Sequence, residues 1–206
     1  MRSEMGNNMH PESLKGYFII SESNMLDPNF FQTVVLLIEH NSDGAFGLVV
    51  NRRAKITLGD IIPTLANTRG FTTPLYVGGP VQQEFLFALH SELPEILNGG
   101  SPETTVVAEG VFFEPNFRKL EHYFIEENWQ AIPADDQPHL NLYLGYSGWA
   151  PGQLEKEMSQ GSWIIHQASK KIVFHENPEE GWRDALRAKG GIYQLFADSK
   201  QEPHLN

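Results

Sequence analysis

The densest chemistry in this sequence lies between Gly145 and Glu155, where a serine, two aromatic rings, an amide and a carboxylate are punctuated by glycines and a proline. Ser147 sits in Gly145-Tyr146-Ser147-Gly148, close to the Gly-x-Ser-x-Gly corner from which a hydrolase projects its nucleophile. That corner needs small residues on both sides of the serine. Trp149 stands where the final glycine belongs, and its indole crowds the turn, so the sequence argues against a nucleophilic hydroxyl. Gln153 and Glu155 open a helix pattern, where the dipole favours a carboxylate in solvent. Beside Tyr146 and Trp149 the same groups would also line a pocket, with aromatic walls and a few convergent polar atoms.

Other groups offer weaker constellations. Glu39, His40, Glu84 and His90 are metal-ligand types, but neighbouring strand residues face opposite sides, and no His-x-x-x-His or Glu-x-x-His pair exists. No metal is expected, and His40 is expected to bond backbone within a hairpin turn. Gly78-Gly79-Pro80, with Arg52-Arg53, could cradle a phosphate through backbone N–H groups and guanidinium. It lacks the Lys-Ser or Lys-Thr of a phosphate-binding loop, which favours a tight hairpin reversal. No catalytic set is complete, and no cofactor is expected.

The chain of 206 residues has no cysteine, which removes disulfides, thiolate nucleophiles and sulfur-ligated zinc. A formal net charge of -11 repels a phosphate backbone, so no direct nucleic-acid binding is expected. No apolar run reaches the roughly 20 residues that span a bilayer, and the N-terminus lacks the order of a secretory signal. A cytoplasmic protein without membrane contact is expected.

These residues need elements to hold them. Residues 1–15 have no periodicity and read as a disordered extension, residues 16–197 as a single domain and 198–206 as a tail. Tyr17 to Ile20 and the near-continuous apolar run Val34 to Ile38 read as strands, the second central and covered on both faces. Asp43-Gly44 predicts a hairpin returning through Phe46 to Val50. Thr57 caps a short helix with Asp60 as the reciprocal partner, and Pro63 limits its length. Pro74 to Val77 is a strand, with Phe85 to Leu89 expected to run back beside it.

Pro94 to Pro102 reads as a loop, Thr104 to Val107 and Val111 to Phe113 as short strands interrupted at Gly110, and Asn116 to Glu127 as a helix. Leu140 to Leu144 reads as a strand that ends in a glycine-aromatic turn, with a helix beginning near Pro151 or Gly152. Ser162 to Ile165 and Ile172 to Phe174 are expected to pair around Ser169-Lys171, before a helix from Asn177 to Ala188 stopped by Gly190-Gly191. Strands in runs with occasional helices predict an α+β fold with a mixed, largely antiparallel sheet.

Gly145-Tyr146-Ser147-Gly148-Trp149, then Gly152-Gln153-Leu154-Glu155 and Ser162-Trp163, resembles the signature of the AlgH-like family of bacterial proteins. Val35 to Arg52, Tyr76 to Val81 and Gly110-Val111-Phe112 agree, and the resemblance covers about Gly16 to Leu195. It implies a strongly bent sheet, a partly open barrel with a few flanking helices. In that family the position of Ser147 is commonly another small residue, often alanine, which further weakens a catalytic reading. Asn51 also matches the family pattern.

Two functions remain open at this point. The first is a non-enzymatic accessory or regulatory protein that binds a small molecule or a protein partner at a groove formed by Tyr146, Trp149, Gln153 and Glu155, with His40, Asn51, Gly78 and Gly79 as further contacts. The second is a hydrolase-like enzyme with Glu155 or His40 as acid or base; a raised Glu155 pKa or a His40 contact would favour it.

Overall fold

The computed structural model describes residues 13–65, 72–93, 104–118, 120, 132–133 and 136–198. Its strands are β1 (Tyr17–Ser21), β2 (Val34–Asn41), β3 (Gly44–Val49), β4 (Arg53–Thr57), β5 (Pro74–Val77), β6 (Val81–His90), β7 (Thr105–Ala108), β8 (Val111–Glu114), β9 (Leu140–Trp149) and β10 (Trp163–Gln167). They form one sheet in the order β10-β1-β2-β3-β9-β6-β8-β7, with β4 pairing β5 off this path. Every pairing is antiparallel except β5 with β9. The helices are α1 (Leu58–Ile61), α2 (Gln153–Ser159), α3 (Lys170–Val173), α4 (Gly181–Lys189) and α5 (Tyr193–Asp198).

The sheet curls hard. Phe46 on β3 and Phe113 on β8 are separated by β9 and β6, a path of three strand spacings of about 4.8 Å each in a flat sheet. Their ring centroids are 5.8 Å apart, so the sheet has folded round until its third neighbours touch across the concave side. The result is a half-barrel, α+β and mostly antiparallel, as the residue pattern and the resemblance both imply. Its interior holds Phe18, Ile20, Leu36, Leu48, Tyr143 and Trp182, and α3, α4 and α5 pack residues into the same core. The outer face carries a second core, in which Ile19, Val35, Leu37 and Val49 alternate with the inner set, as the two-residue period of a strand requires.

The sharpest local agreements are the Asp43-Gly44 hairpin and α1. Thr57 N–H and Oγ1 both donate to Asp60, at 2.7 and 2.9 Å, and Pro63 ends the helix after a single turn. Three expectations need correction. Ile172 to Phe174 is not a strand paired with Ser162 to Ile165; β10 pairs β1 over five residues instead, and Lys170–Val173 is helix α3. The β preference of Ile and Val yields to packing, which buries Ile172 and Val173 on one side and leaves both lysines in solvent.

Phe85 to Leu89 does not run beside β5. Gly78 N–H donates to Leu144 O and Gly78 O accepts from Val49 N–H, both at 2.8 Å, which wedges the end of β5 between β3 and β9. The chain then crosses β9 at Gly79, and β6 pairs with the opposite edge. A Cβ at Gly79 would collide with the Tyr146–Ser147 backbone, which is why the crossing needs glycine. Finally, β9 does not stop at Leu144. Gly145, at φ 64, shifts the register without ending the strand, and pairing continues to Trp149. Of the expected helix from Asn116 to Glu127 only residues 116–118 and 120 are described, and the loop from Pro94 to Pro102 lies outside the described residues.

Candidate functional site

Because β9 runs on to Trp149, its last residues face opposite ways. Tyr146 points to the concave interior, while Ser147 and Trp149 face outward. The single groove expected from Tyr146, Trp149, Gln153 and Glu155 is therefore two surfaces separated by the sheet. Ser147 is fully buried, and its hydroxyl donates to Gly78 O at 3.2 Å, where it fastens the crossing chain and has no base beside it.

On the outer face, α2 folds back over the end of β9. Trp149 and Trp163 each donate their indole N–H to Glu157 Oε2, at 2.9 and 2.8 Å. Gln153 donates to Glu157 Oε1 at 2.9 Å, and its own Oε1 accepts from Ala150 N–H. Phe30 packs against both indoles, with centroids 6.0 and 5.4 Å away. Glu157 is thus the hub of this face, and sequence reasoning passed over it. The signal was its place two residues beyond Glu155 in the signature helix, four after Gln153 and near two tryptophans that must find acceptors when buried.

Glu155 reaches His40 instead, with Oε1 and Nε2 at 2.8 Å. The Leu14 backbone N–H donates to the other ring nitrogen, Nδ1, at 3.0 Å. Nδ1 is therefore the acceptor, so Nε2 carries the proton and donates it to Glu155. The expectation that His40 bonds backbone within its own hairpin is corrected: its ring joins the segment at Leu14 to α2. Its side chain is 8% exposed and that of Glu155 is 51% exposed. The Glu155 carboxyl is held below its ordinary pKa, chiefly by its own backbone N–H in the first turn of α2 and further by His40. The contact that would favour acid–base chemistry is present, but the raised pKa is not: both imidazole nitrogens are engaged, and Glu155 is ionised at neutral pH.

Among the remaining candidates, Asn51 is a clamp. Its Oδ1 accepts from Val34 N–H at 2.8 Å and its Nδ2 donates to Gln32 O at 2.9 Å, fixing the entry to β2. Arg52 donates to the carbonyls of Pro28, Asn29 and Phe31, and burial lowers its pKa. Neither residue is turned to Gly78 and Gly79, whose surroundings are filled by Leu48, Tyr143 and the β9 backbone and leave no anion cradle. Glu39, His40, Glu84 and His90 do not converge, and among the described residues no three metal-ligating side chains do. His90 is buried; its Nδ1–H donates to Ser91 O at 2.7 Å and its ring stacks on Phe112.

The inner face holds what the sequence did not announce. Tyr146 meets Phe46 at 4.9 Å and Phe87 at 6.2 Å, Phe87 meets Phe85 and Phe113 at 6.4 and 5.8 Å, and Phe46 meets Phe87 at 5.7 Å. These rings come from β3, β6, β8 and β9. Phe113 is buried, Phe46, Phe87 and Tyr146 are half-buried, and Phe85 is 50% exposed. Tyr146 hydroxyl makes no hydrogen bond among the described residues. Phe85 and Phe87, alternating on one strand, were the available signal, but only the curl brings Phe46 and Phe113 to them.

The sequence profile of the AlgH-like family matches residues 18–194. A UPF0301 protein from Cytophaga hutchinsonii is 34% identical over 192 residues, 93% of this chain and 98% of that protein. One from Chlorobium limicola is 33% identical, over 93% of this chain and 95% of its own. The fold is similar to the solution structure of the AlgH protein from Pseudomonas aeruginosa, with a TM-score of 0.67, 29% identity and coverage of 98% and 100% of the two chains. It also matches the crystal structure of a Corynebacterium diphtheriae protein at a TM-score of 0.70 and 21% identity, over 93% of this chain and 94% of the other, a likeness of fold. No helix among the described residues is long and apolar enough to cross a membrane.

Proposed function

The chain belongs to the AlgH-like family, and we propose that it serves there as a non-enzymatic accessory protein of the cytoplasm that binds a small molecule on the concave face of its half-barrel. One observation carries this reading: five aromatic rings from four strands meet at one end of the concavity, and four of them are only partly buried. Aromatic side chains bring large apolar area to a site at low entropic cost, and partly buried rings in a concavity are the usual walls of a ligand pocket. Any influence on transcription would run through that ligand or through a protein partner, since the net charge of -11 opposes a nucleic-acid backbone.

The alternative, a hydrolase-like enzyme, is favoured by the 2.8 Å contact between His40 and Glu155. Against it, that pair is completed by Leu14 N–H, which leaves the imidazole without a free lone pair. Ligand-observed NMR with a metabolite library tests the first reading: ligands should bind wild type and lose affinity in a folded Phe85→Ser, Tyr146→Ala double variant. Ligands that bind the double variant equally well, but not Glu155→Ala, would move the site to the outer face.

A further inference from the structure

The concave aromatic end is bounded by a cross-strand row whose members come from three strands. On the inner face Glu39 of β2 stands opposite Phe46 of β3, and Phe46 stands opposite Gly148 of β9. A bulge between Leu37 and Glu39 interrupts the ladder just before this pair, and Glu39 resumes the register beside Phe46, which makes the two residues neighbours on adjacent strands. A Cβ on Gly148 would lie 3.2 Å from Tyr146 Cε2. The missing side chain therefore leaves a step in the row, over which the Tyr146 ring lies. Glu39 is exposed and makes no ion pair among the described residues. None of the residues in this row or in the aromatic cluster is a lysine or arginine.

We infer that this end of the half-barrel takes an organic cation, an ammonium group carried on an apolar body. The inference deepens the binding reading given above and rests on it. Ring faces are negative and attract a cation, and the attraction grows as water is excluded between them. Phe46 and Tyr146 supply such faces, Glu39 supplies the countercharge at the rim, and Phe85 and Phe87 continue the apolar floor. The alternative ligand charges are handicapped by the same features. An anion would meet an unpaired carboxylate and a chain of net charge -11. A neutral ligand would gain the aromatic contacts and leave the carboxylate unused.

The test is a backbone amide NMR titration of the full chain with three matched probes: benzyltrimethylammonium, benzyl alcohol and phenylacetate. The cation should shift the resonances of residues 39, 46, 85, 87 and 146 and bind at least about tenfold more tightly than the alcohol, with phenylacetate weakest. Glu39→Gln should bring the cation to within about twofold of the alcohol, and added salt should weaken the cation in wild type but not in that variant, as screening of an exposed charge requires. Glu39 is exposed, so this substitution leaves the fold intact. Equal affinities for cation and alcohol, or a Glu39→Gln variant that binds the cation as well as wild type, would overturn the charge assignment while leaving the aromatic surface as a binding site. If none of the probes moves those resonances, the binding surface itself is wrong and this inference falls with it.

Discussion

The two faces of the last five residues of β9 use similar residue types to opposite ends. Outside, Trp149 and Trp163 pair with Glu157, Glu157 with Gln153 and Glu155 with His40; each named polar side chain has found a partner. Inside, Tyr146 and Glu39 have exposed polar ends without one among the described residues, and Phe85 remains half in water. A saturated hydrogen-bond network resists exchange of its members, because a buried donor left without an acceptor keeps its full desolvation cost. An unsaturated surface has no protein hydrogen bonds to break when it takes a ligand, only water to displace. The signature residues that looked most like a binding site therefore do the work of a joint, and the open surface lies behind them.

This contrast makes outer-face substitutions costly for stability and inner-rim ones nearly silent. Glu157→Ala removes the acceptor of two buried indoles, and chemical denaturation should find a loss of about 3 kcal/mol. A loss below about 1 kcal/mol would mean that water replaces the carboxylate and that the outer face is open after all. Ser147→Ala removes one neutral hydrogen bond to the crossing chain and should cost about 1 kcal/mol, with no effect on any ligand found for the inner face. Abolished ligand binding in a folded Ser147→Ala protein would revive a functional hydroxyl.

Two smaller effects sharpen the comparison. Glu155 has a folded pKa below its unfolded value of about 4.3. Its contribution is therefore fully present above that value and lost as pH falls through the lower folded one. Asp184 is depressed in the same way, through His175 and Arg187, so acid titration of Glu155→Gln should flatten only part of the wild-type decline below about pH 4. A variant whose stability falls with acid as steeply as wild type would show that the ionised Glu155, held by its backbone N–H and by His40, contributes nothing. Phe85→Ser, on the inner rim, should change stability by less than about 0.5 kcal/mol, as a surface substitution does, while weakening ligand binding. A large destabilisation would place Phe85 in the core instead.

Two histidine–carboxylate pairs among the described residues add a lesson about range. His175 and His40 are wired alike, with Nδ1 accepting a backbone N–H and Nε2–H donating to a carboxylate. His175 and Asp184 are nine residues apart, bracketing the start of α4, and their meeting is a matter of local chain geometry. His40 and Glu155 are separated by 115 residues, and nothing in the spacing of either one points to the other.

Local pattern was enough for much of this protein. The Asp43-Gly44 turn, the Thr57–Asp60 cap, the strand alternation and the glycine stops are decided by backbone sterics and by side chains within a few residues of one another, and the sequence carries them in full. It also carried, through the motif from Gly145 to Glu155, the family and hence the bent sheet. What it did not carry is where the long-range edges fall. Whether β10 pairs β1 or the segment after it depends on how Ile172 and Val173 pack, while whether β6 flanks β5 or β9 and which face of β9 receives Tyr146 depend on the crossing at Gly79 and the register shift at Gly145. A shift of one residue in a strand exchanges its faces. Only the curled sheet, by bringing Phe46 and Phe113 to 5.8 Å, decides that the aromatic rings of four strands share one surface.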